Sequence, residues 1–387
     1  MNKSCDILVI GAGPAGLAAA RYCVSQSPAP SVLLVDKIRP WDHPFACAEG
    51  VFRPQFLQTI TPADSWIRFL VDKAVYHSPD NSQLHYTDKN KGFIIDRSRM
   101  QKDLADECAE KGAECLFDKR VTSVGPWSAG GRVVGFEDGK SVNTRVVIDC
   151  SGPLSLFGKG EKIHNKPKDL EVACLAHLRM KDVDTETVHI HAGKKIAPAA
   201  YAWAFPRTEN SLNVGVIVGS AFRSRVHIKA LLESFIRTYY SGGVVERIFA
   251  GAIPCTFGRP PLATFGLIKA GDAASMVNPI SRAGITEALL AGRMAGECAV
   301  AMLGAATKAG IKAAGKRYER EWHEKRGKRH VKLARVKQSL ARVPDKDYNA
   351  SARALADIPP GRLTMSKIFT VSLARFPRLV WALRHVL

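Results

Sequence analysis

Three glycines near the N-terminus have the spacing to hold a diphosphate. Gly11-Ala12-Gly13-Pro14-Ala15-Gly16 follows the apolar run Ile7-Leu8-Val9-Ile10 and leads into Leu17-Ala18-Ala19-Ala20-Arg21-Tyr22-Cys23, a good helix former. Gly11 permits a tight turn. Gly13, without a Cβ, lets the backbone approach a pyrophosphate, and Gly16 lets the helix pack close to the strand. Free N–H groups at the helix start, around Ala15, then hold phosphate oxygens. A second apolar run, Val32-Leu33-Leu34-Val35, ends on Asp36, twenty positions after Gly16. A carboxylate there can accept hydrogen bonds from a ribose diol. A glycine motif alone is weak evidence. Strand, helix, second strand and acid in register make a βαβ dinucleotide cradle.

A second motif decides which dinucleotide. Leu267-Ile268-Lys269-Ala270 runs into Gly271-Asp272-Ala273-Ala274, followed by Asn278-Pro279 and by Gly284-Ile285-Thr286-Glu287-Ala288. Asp272 can hydrogen-bond a ribityl chain, and Pro279 sets a turn beside an isoalloxazine ring. A helix opening at Gly284 and Ile285 aims its positive end at the N1–C2=O edge of a flavin. Alone, Asp272 reads as a turn cap. With the cradle, the pair of motifs predicts FAD rather than NAD.

The elements that must position these residues follow from the wider pattern. A chain of 387 residues supports two or three domains. The class is α/β with an α+β second domain. Residues 1–160 and 258–309 form an FAD-binding domain of Rossmann type, with 45–95 contributing to the substrate side. Residues 161–257, with alternating stretches such as Thr187–His191 and Leu212–Val218, form an antiparallel-sheet substrate domain. Residues 310–387 form a basic helical C-terminal region. Nine scattered cysteines, an odd number without a C-x-x-C pair, predict reduced thiols in a cytoplasmic protein and no metal site. No signal peptide precedes the first strand, and no apolar run reaches the ~18 residues of a membrane span.

The net charge of +20 attracts nucleic acid, anionic lipid or an acidic protein. The excess concentrates between Lys316 and Arg342, where Glu319, Glu321 and Glu324 alone oppose eleven Lys and Arg residues. No nucleic-acid-binding signature accompanies it, so nucleic acid is not expected as a partner. The segment from Ile368 to Leu387 is apolar, aromatic and basic, which suits peripheral contact with a bilayer interface. There is no second G-x-G-x-x-G. Electrons are expected from NAD(P)H docking transiently or from a small acidic redox protein such as reduced ferredoxin.

Trp66-Ile67, Gly92-Phe93-Ile94-Ile95-Asp96-Arg97, Tyr201-Ala202-Trp203-Ala204-Phe205-Pro206 and Asn213-Val214-Gly215 resemble the geranylgeranyl reductase family, and within it the archaeal-lipid branch. The resemblance implies a p-hydroxybenzoate hydroxylase-type fold, in which an FAD domain interleaves with a sheet domain. It also implies reduction of isolated carbon–carbon double bonds in prenyl chains by reduced FAD. Cys47-Ala48-Glu49-Gly50 matches the family's Cys-x-x-Gly segment, and Arg97 matches the arginine that contacts FAD. Ser281-Arg282-Ala283 departs from the family's small-residue string and would place a cation near the flavin.

An isolated alkene is a poor electrophile, so hydride from flavin N5 must be matched by a proton. Cys47 is the first candidate for proton donation or gating, and Glu49 is the alternative acid. Tyr201, Trp203 and Phe205 alternate, which puts them on one strand face as an aromatic wall for a prenyl lipid. Two other readings use the same scaffold. One is a flavin monooxygenase or halogenase, whose W-x-W-x-I-P string differs from residues 201–206 at the first and fifth places. The other is a membrane-associated electron-transfer flavoprotein.

Overall fold

Near-continuous apolar strands alternating with helices favour a parallel sheet covered on both faces, and period-two strands favour an antiparallel one. Both occur in this chain. The computed structural model describes residues 3–363 except 44, 129, 164–166, 257, 357, 360 and 361. The apolar tail from 368 to 387 lies outside the described residues. In chain order the strands are β1 (Lys3–Ile10), β2 (Val32–Val35), β3 (Gly50–Phe52), β4 (Ile67–His77), β5 (Gln83–Ile95), β6 (Glu114–Leu116), β7 (Val121–Val124), β8 (Arg132–Phe136), β9 (Ser141–Asp149), β10 (Leu170–Arg179), β11 (Thr187–His191), β12 (Ala202–Thr208), β13 (Ser211–Val218), β14 (Val244–Pro254), β15 (Ala263–Thr264) and β16 (Leu267–Lys269). The α-helices are α1 (Pro14–Val24), α2 (Arg53–Leu57), α3 (Arg97–Glu110), α4 (Ile228–Tyr239), α5 (Ile285–Leu303), α6 (Lys308–Trp322), α7 (Lys328–Leu340) and α8 (Asp345–Ala356).

The chain divides into two compact units. The first comprises Met1–Pro44, Arg97–Lys168 and Pro254–Val331; the second comprises Phe45–Asp96, Asp169–Ile253 and Lys332–Leu387. In the first, β16, β9, β1, β2 and β6 lie side by side and parallel, with β15 on one edge. Ile7 to Ile10, Val32 to Val35 and Val146 to Ile148 are buried, as strands covered on both faces must be. Glycines bring the covering helices close. A Cβ on Gly292 of α5 would overlap the carbonyl of Ala15 in α1, and one on Gly296 would press on Ala19 and Tyr22.

The second unit is one eight-stranded sheet in the order β14-β10-β13-β12-β11-β4-β5-β3. Its pairs from β10 to β11 and from β4 to β3 are antiparallel, and β11 lies parallel to β4. Its two faces separate by residue parity. Ala202, Ala204, Val214 and Val216 pack with Leu232, Phe235 and Ile236 of α4. Trp203 and Ile217 pack on the other side with Ala173 and Leu175, and Tyr201 and Phe205 lie against them.

The region expected as one basic piece from 310 to 387 is shared between the units. Residues to Val331 belong to the first, because Tyr318 and Trp322 are buried there and Tyr318 donates from its hydroxyl to the carbonyl of Lys269 at 2.8 Å. Residues from Lys332 belong to the second, where buried Lys337 pairs with Asp169 and Glu171, each at 2.7 Å. Not all of the basic run is surface charge, since Arg326 also pairs inward, with Glu287 at 3.1 Å. Among the described residues, no helix is long and apolar enough to cross a membrane.

At the ends of β16 and β9, Lys269 and Asp149 form a fully buried pair at 3.2 Å. Ser151 and Ser155 donate to the same carboxylate, and Lys269 donates to Ser155 Oγ at 2.9 Å. Removing one member leaves an uncompensated buried charge. Lys269→Ala is therefore expected to cost roughly 3–5 kcal/mol of stability in urea unfolding. The double variant with Asp149→Asn is expected to recover part of that loss.

Candidate functional site

The glycine-rich turn after β1 is held from both sides. Gly11 has φ +100°, and a Cβ there would overlap the carbonyl of Cys150. A Cβ on Gly16 would overlap the carbonyl of Gly11. The Ala12 N–H donates to Asp36 Oδ2 at 2.7 Å, and its carbonyl accepts from Gln101 Nε2 at 2.9 Å. Gln101 is wholly buried on α3 and in turn accepts from Arg97 Nε at 2.7 Å. Asp36 also accepts the Ile38 N–H, and burial raises its pKa against these two bonds. Asp36 and Arg97 thus both bear on the turn that a diphosphate would occupy.

Gly13 behaves differently from its neighbours. Its backbone is extended, and a Cβ would meet nothing within 4 Å. Packing within the protein does not require glycine there. The open approach lies at the N-terminus of α1, which has Pro14 in its first turn and no capping side chain, so the first amides are left for an outside acceptor. These features fit the pyrophosphate of FAD. Ala15 contributes its helix-start backbone, while its methyl packs on Gly271, where a Cβ would come within 2.8 Å.

Asp272 follows β16 in a short 3-10 turn, Gly271–Ala274. Burial pushes its pKa up to about 6, and the positive charge of Arg97 pulls the other way. Its Oδ1 is 3.9 Å from where a Cβ on Gly284 would stand, so the acid and the start of α5 meet. Pro279 is buried in the turn between them. Asn278 Oδ1 accepts the N–H groups of Ile280 and Ser281, and the Asn278 N–H donates to Ala283, which sets Gly284 and Ile285 at the head of α5. Arg282, expected to put a cation near a flavin, turns its Nη1 back to donate to the Ile280 carbonyl at 2.6 Å. The structure thus gathers Gly11, Gly13, Gly16, Asp36 and Arg97 around one turn. It gathers Gly271, Asp272, Pro279, Gly284 and Ile285 around another.

The second unit holds the remaining candidates. Trp203 lies directly across from Gly215 on β13, where a Cβ would overlap the indole. Its Nε1 donates to Asn213 Oδ1 at 3.1 Å, and Asn213 Nδ2 donates to the carbonyl of Cys47 at 2.7 Å. Cys47 is half-buried, and its Sγ accepts the Glu49 N–H at 3.3 Å. Glu49 has φ +60°, donates no side-chain freedom to solvent at 7% exposure, and faces Arg68 at 3.8 Å. Gly50 completes the loop, because a Cβ there would come within 2.9 Å of the Phe205 ring. The Cys47–Gly50 loop and the Trp203–Phe205 face are therefore one assembly, and Tyr201 stands 6.5 Å from Trp203 edge to face.

Several residues of the first unit's turn and of the second unit's assembly carry no local signal. Gln101 sits in an ordinary helix, Arg68 begins an ordinary strand, and Asn213 was visible only as part of a motif. The carboxyl of Asp272 gives a test. Its folded-state pKa lies above the ordinary 3.8, so the folded chain keeps that proton longer than the unfolded chain. Stability of the flavin-free protein then falls as pH rises from about 4 to about 6. Asp272→Asn removes that loss. It is expected to raise the melting temperature above about pH 6, with a gain that shrinks toward pH 4, while weakening flavin retention. Thermal melts across this range check the sign; a gain independent of pH counts against the assignment.

A family model described as lycopene cyclase protein matches residues 6–173, and one described as geranylgeranyl reductase catalytic domain matches residues 169–252. The digeranylgeranylglycerophospholipid reductase of Methanocella arvoryzae is 29% identical over 392 residues, which cover 98% of each chain. A geranylgeranyl bacteriochlorophyll reductase-like protein from Thermoplasma acidophilum aligns with TM-score 0.86 at 23% identity over 100% of both chains. The p-nitrophenol 4-monooxygenase of Pseudomonas putida aligns with TM-score 0.70 at 12% identity, over 98% of this chain and 99% of that one. At such identities the structural likeness speaks for the fold, which is that of the FAD-dependent hydroxylases. The family models and the full-length relatives mark the chain as a flavoprotein oxidoreductase that is similar, over nearly its whole length, to the geranylgeranyl reductases.

Proposed function

We propose that the protein is an FAD-dependent reductase that saturates isolated carbon–carbon double bonds in the prenyl chains of a glycerophospholipid. The observation that carries this reading is the assembly of Tyr201, Trp203 and Phe205 with the Cys47 loop, all within the unit that the reductase catalytic-domain model matches in part. The names of the full-length relatives support the lipid class. A prenyl chain offers no polar handle, so recognition rests on apolar and aromatic contact, which the half-buried rings of Tyr201 and Phe205, with buried Trp203 between them, supply.

Bound FAD, once reduced, supplies the hydride. The chain supplies the rest. Asn213 fixes the Cys47 backbone against the ring that defines the wall. Cys47 holds the proton at Sγ, and the Glu49 N–H donates to that sulfur and orients it. Glu49, buried and facing Arg68 at 3.8 Å, stands as the alternative acid. Exposed Lys316, Arg317, Arg320, Lys325, Lys328 and Arg329 suit an anionic lipid surface or an acidic electron donor. The physiological reductant is a nicotinamide or a reduced ferredoxin.

Anaerobic incubation with dithionite and a geranylgeranyl lipid is expected to add mass in steps of two hydrogens. Oxygen or halide incorporation in air with NAD(P)H and halide would instead favour the monooxygenase or halogenase reading. Untouched lipid with a readily reduced flavin would favour electron transfer. Cys47→Ser is expected to lower turnover by roughly 10²-fold or more with flavin absorbance retained. Unchanged turnover would return Cys47 to a packing role.

A further inference from the structure

The aromatic face ends in an arginine placed by a break in the sheet. β12 pairs with β13 through Pro206↔Leu212 and then Thr208↔Ser211, so Arg207 is the extra residue of a β-bulge. A bulge interrupts the pleat and re-aims a side chain. Arg207 is half-buried, and its Nε is buried with no hydrogen-bond partner among the described residues. A guanidinium N–H withdrawn from water without an acceptor is costly, so the arrangement favours an acceptor from outside the chain.

Arg68 stands beside it. Its Nη1 donates to the Arg207 carbonyl at 3.4 Å, and its Nη2 pairs with Asp96 at 2.8 Å. The two arginines line a cavity of about 530 Å³ with Phe69, Asp96, Thr208, Glu209 and Asn210, so its two cations meet two carboxylates, of which Asp96 is taken up by Arg68. His177 on β10 lies edge-on to Phe249, which packs on the aromatic side of the sheet. Burial and the charges of Arg207, Arg68 and Arg247 hold His177 down at about 4, so it is a neutral imidazole near pH 7. Arg68, which lines the same cavity as Arg207, also faces Glu49 at 3.8 Å, and the neighbouring Gly50 meets the Phe205 ring, so the arginine pair stands beside the aromatic assembly. Four residues of strand put Arg207 ~13 Å from Trp203, which separates a charged end from an apolar run as a lipid separates headgroup from chain.

We propose that Arg207, with Arg68 beside it, binds the phosphate of the lipid headgroup, so that the prenyl chain runs back along Phe205, Trp203 and Tyr201. This rests on the lipid-reductase reading above. A planar guanidinium offers two parallel N–H donors to phosphate oxygens, which a lysine cannot reproduce. Asp96 and Glu49 keep Arg68 in place and limit the net positive charge, so the free donors of Arg207 carry most of the selectivity.

The test is binding, with lipids that cannot be reduced. Full-length flavin-loaded protein is titrated with a saturated isoprenoid diether bearing a glycerol phosphate, with the same diether lacking phosphate, and with inorganic phosphate. Arg207→Gln is expected to weaken the phospholipid roughly 10- to 100-fold and to abolish its preference over the neutral diether. Arg207→Lys, which keeps the charge, is expected to fall between. Arg237→Gln, an exposed charge change on α4, controls for net charge. Equal weakening of both lipids by Arg207→Gln, or no weakening, overturns the proposal. So does inorganic phosphate binding as tightly as the phospholipid, which would mark a site for a small anion. A selective phospholipid site in a protein that leaves geranylgeranyl chains unreduced would sink the reductase reading and leave this one standing.

Discussion

One carboxamide holds the second unit's site together. The indole N–H of Trp203 can only donate, so Asn213 must present Oδ1 to it and keep Nδ2 for the Cys47 carbonyl. Turning the amide over would set donor against donor and acceptor against acceptor. Both bonds lie among buried or half-buried groups, where an unpaired partner costs about 1–3 kcal/mol. The orientation of an aromatic ring and the position of the Cys47 loop are therefore a single variable. Glycine at 215 and at 50 lets the Trp203 and Phe205 rings lie where this bond requires them.

The first unit solves the opposite problem, keeping space open. The Ala12 residue is fixed at both its N–H and its carbonyl, by Asp36 and by the Gln101–Arg97 chain, so the glycine turn keeps its shape without a ligand. Gly11 and Gly16 are needed by backbone carbonyls that come too close for any Cβ, whereas Gly13 faces nothing in the protein. A site ready in advance spends little of its binding energy on ordering. Asp272 shows the cost of such readiness. Burial of its carboxyl beside the start of α5 works against ionisation, while the charge of Arg97 pulls the other way.

Charge is divided between structure and surface in the same way. Lys269, Arg132 and Lys337 are buried, and each meets a named acid: Asp149, Glu161, and Asp169 with Glu171. They tie strands and helices and take no part in the field outside. The exposed remainder gives the protein its basic surface. Arg207 belongs to neither group, since it sits in a bulge with its Nε withdrawn from water and without a hydrogen-bond partner among the described residues.

Much of this was legible in the residue order, for a definite reason. Helix and strand periods, capping turns and glycine spacing are local, so the strand Thr187–His191 and the helix start at Ile285 could be read directly, as could the common face of Tyr201, Trp203 and Phe205. A strand's period of two fixes which side chains share a face before any partner strand is known. The tertiary structure alone decided what crosses between segments: Asn213 to Cys47, Gln101 to Ala12, Lys337 to Asp169, and the fate of Arg282. It also decided Arg207, because a bulge exists only relative to the strand that pairs with it. Such contacts depend on sheet order and register, and neither is written in the spacing of neighbours along one chain.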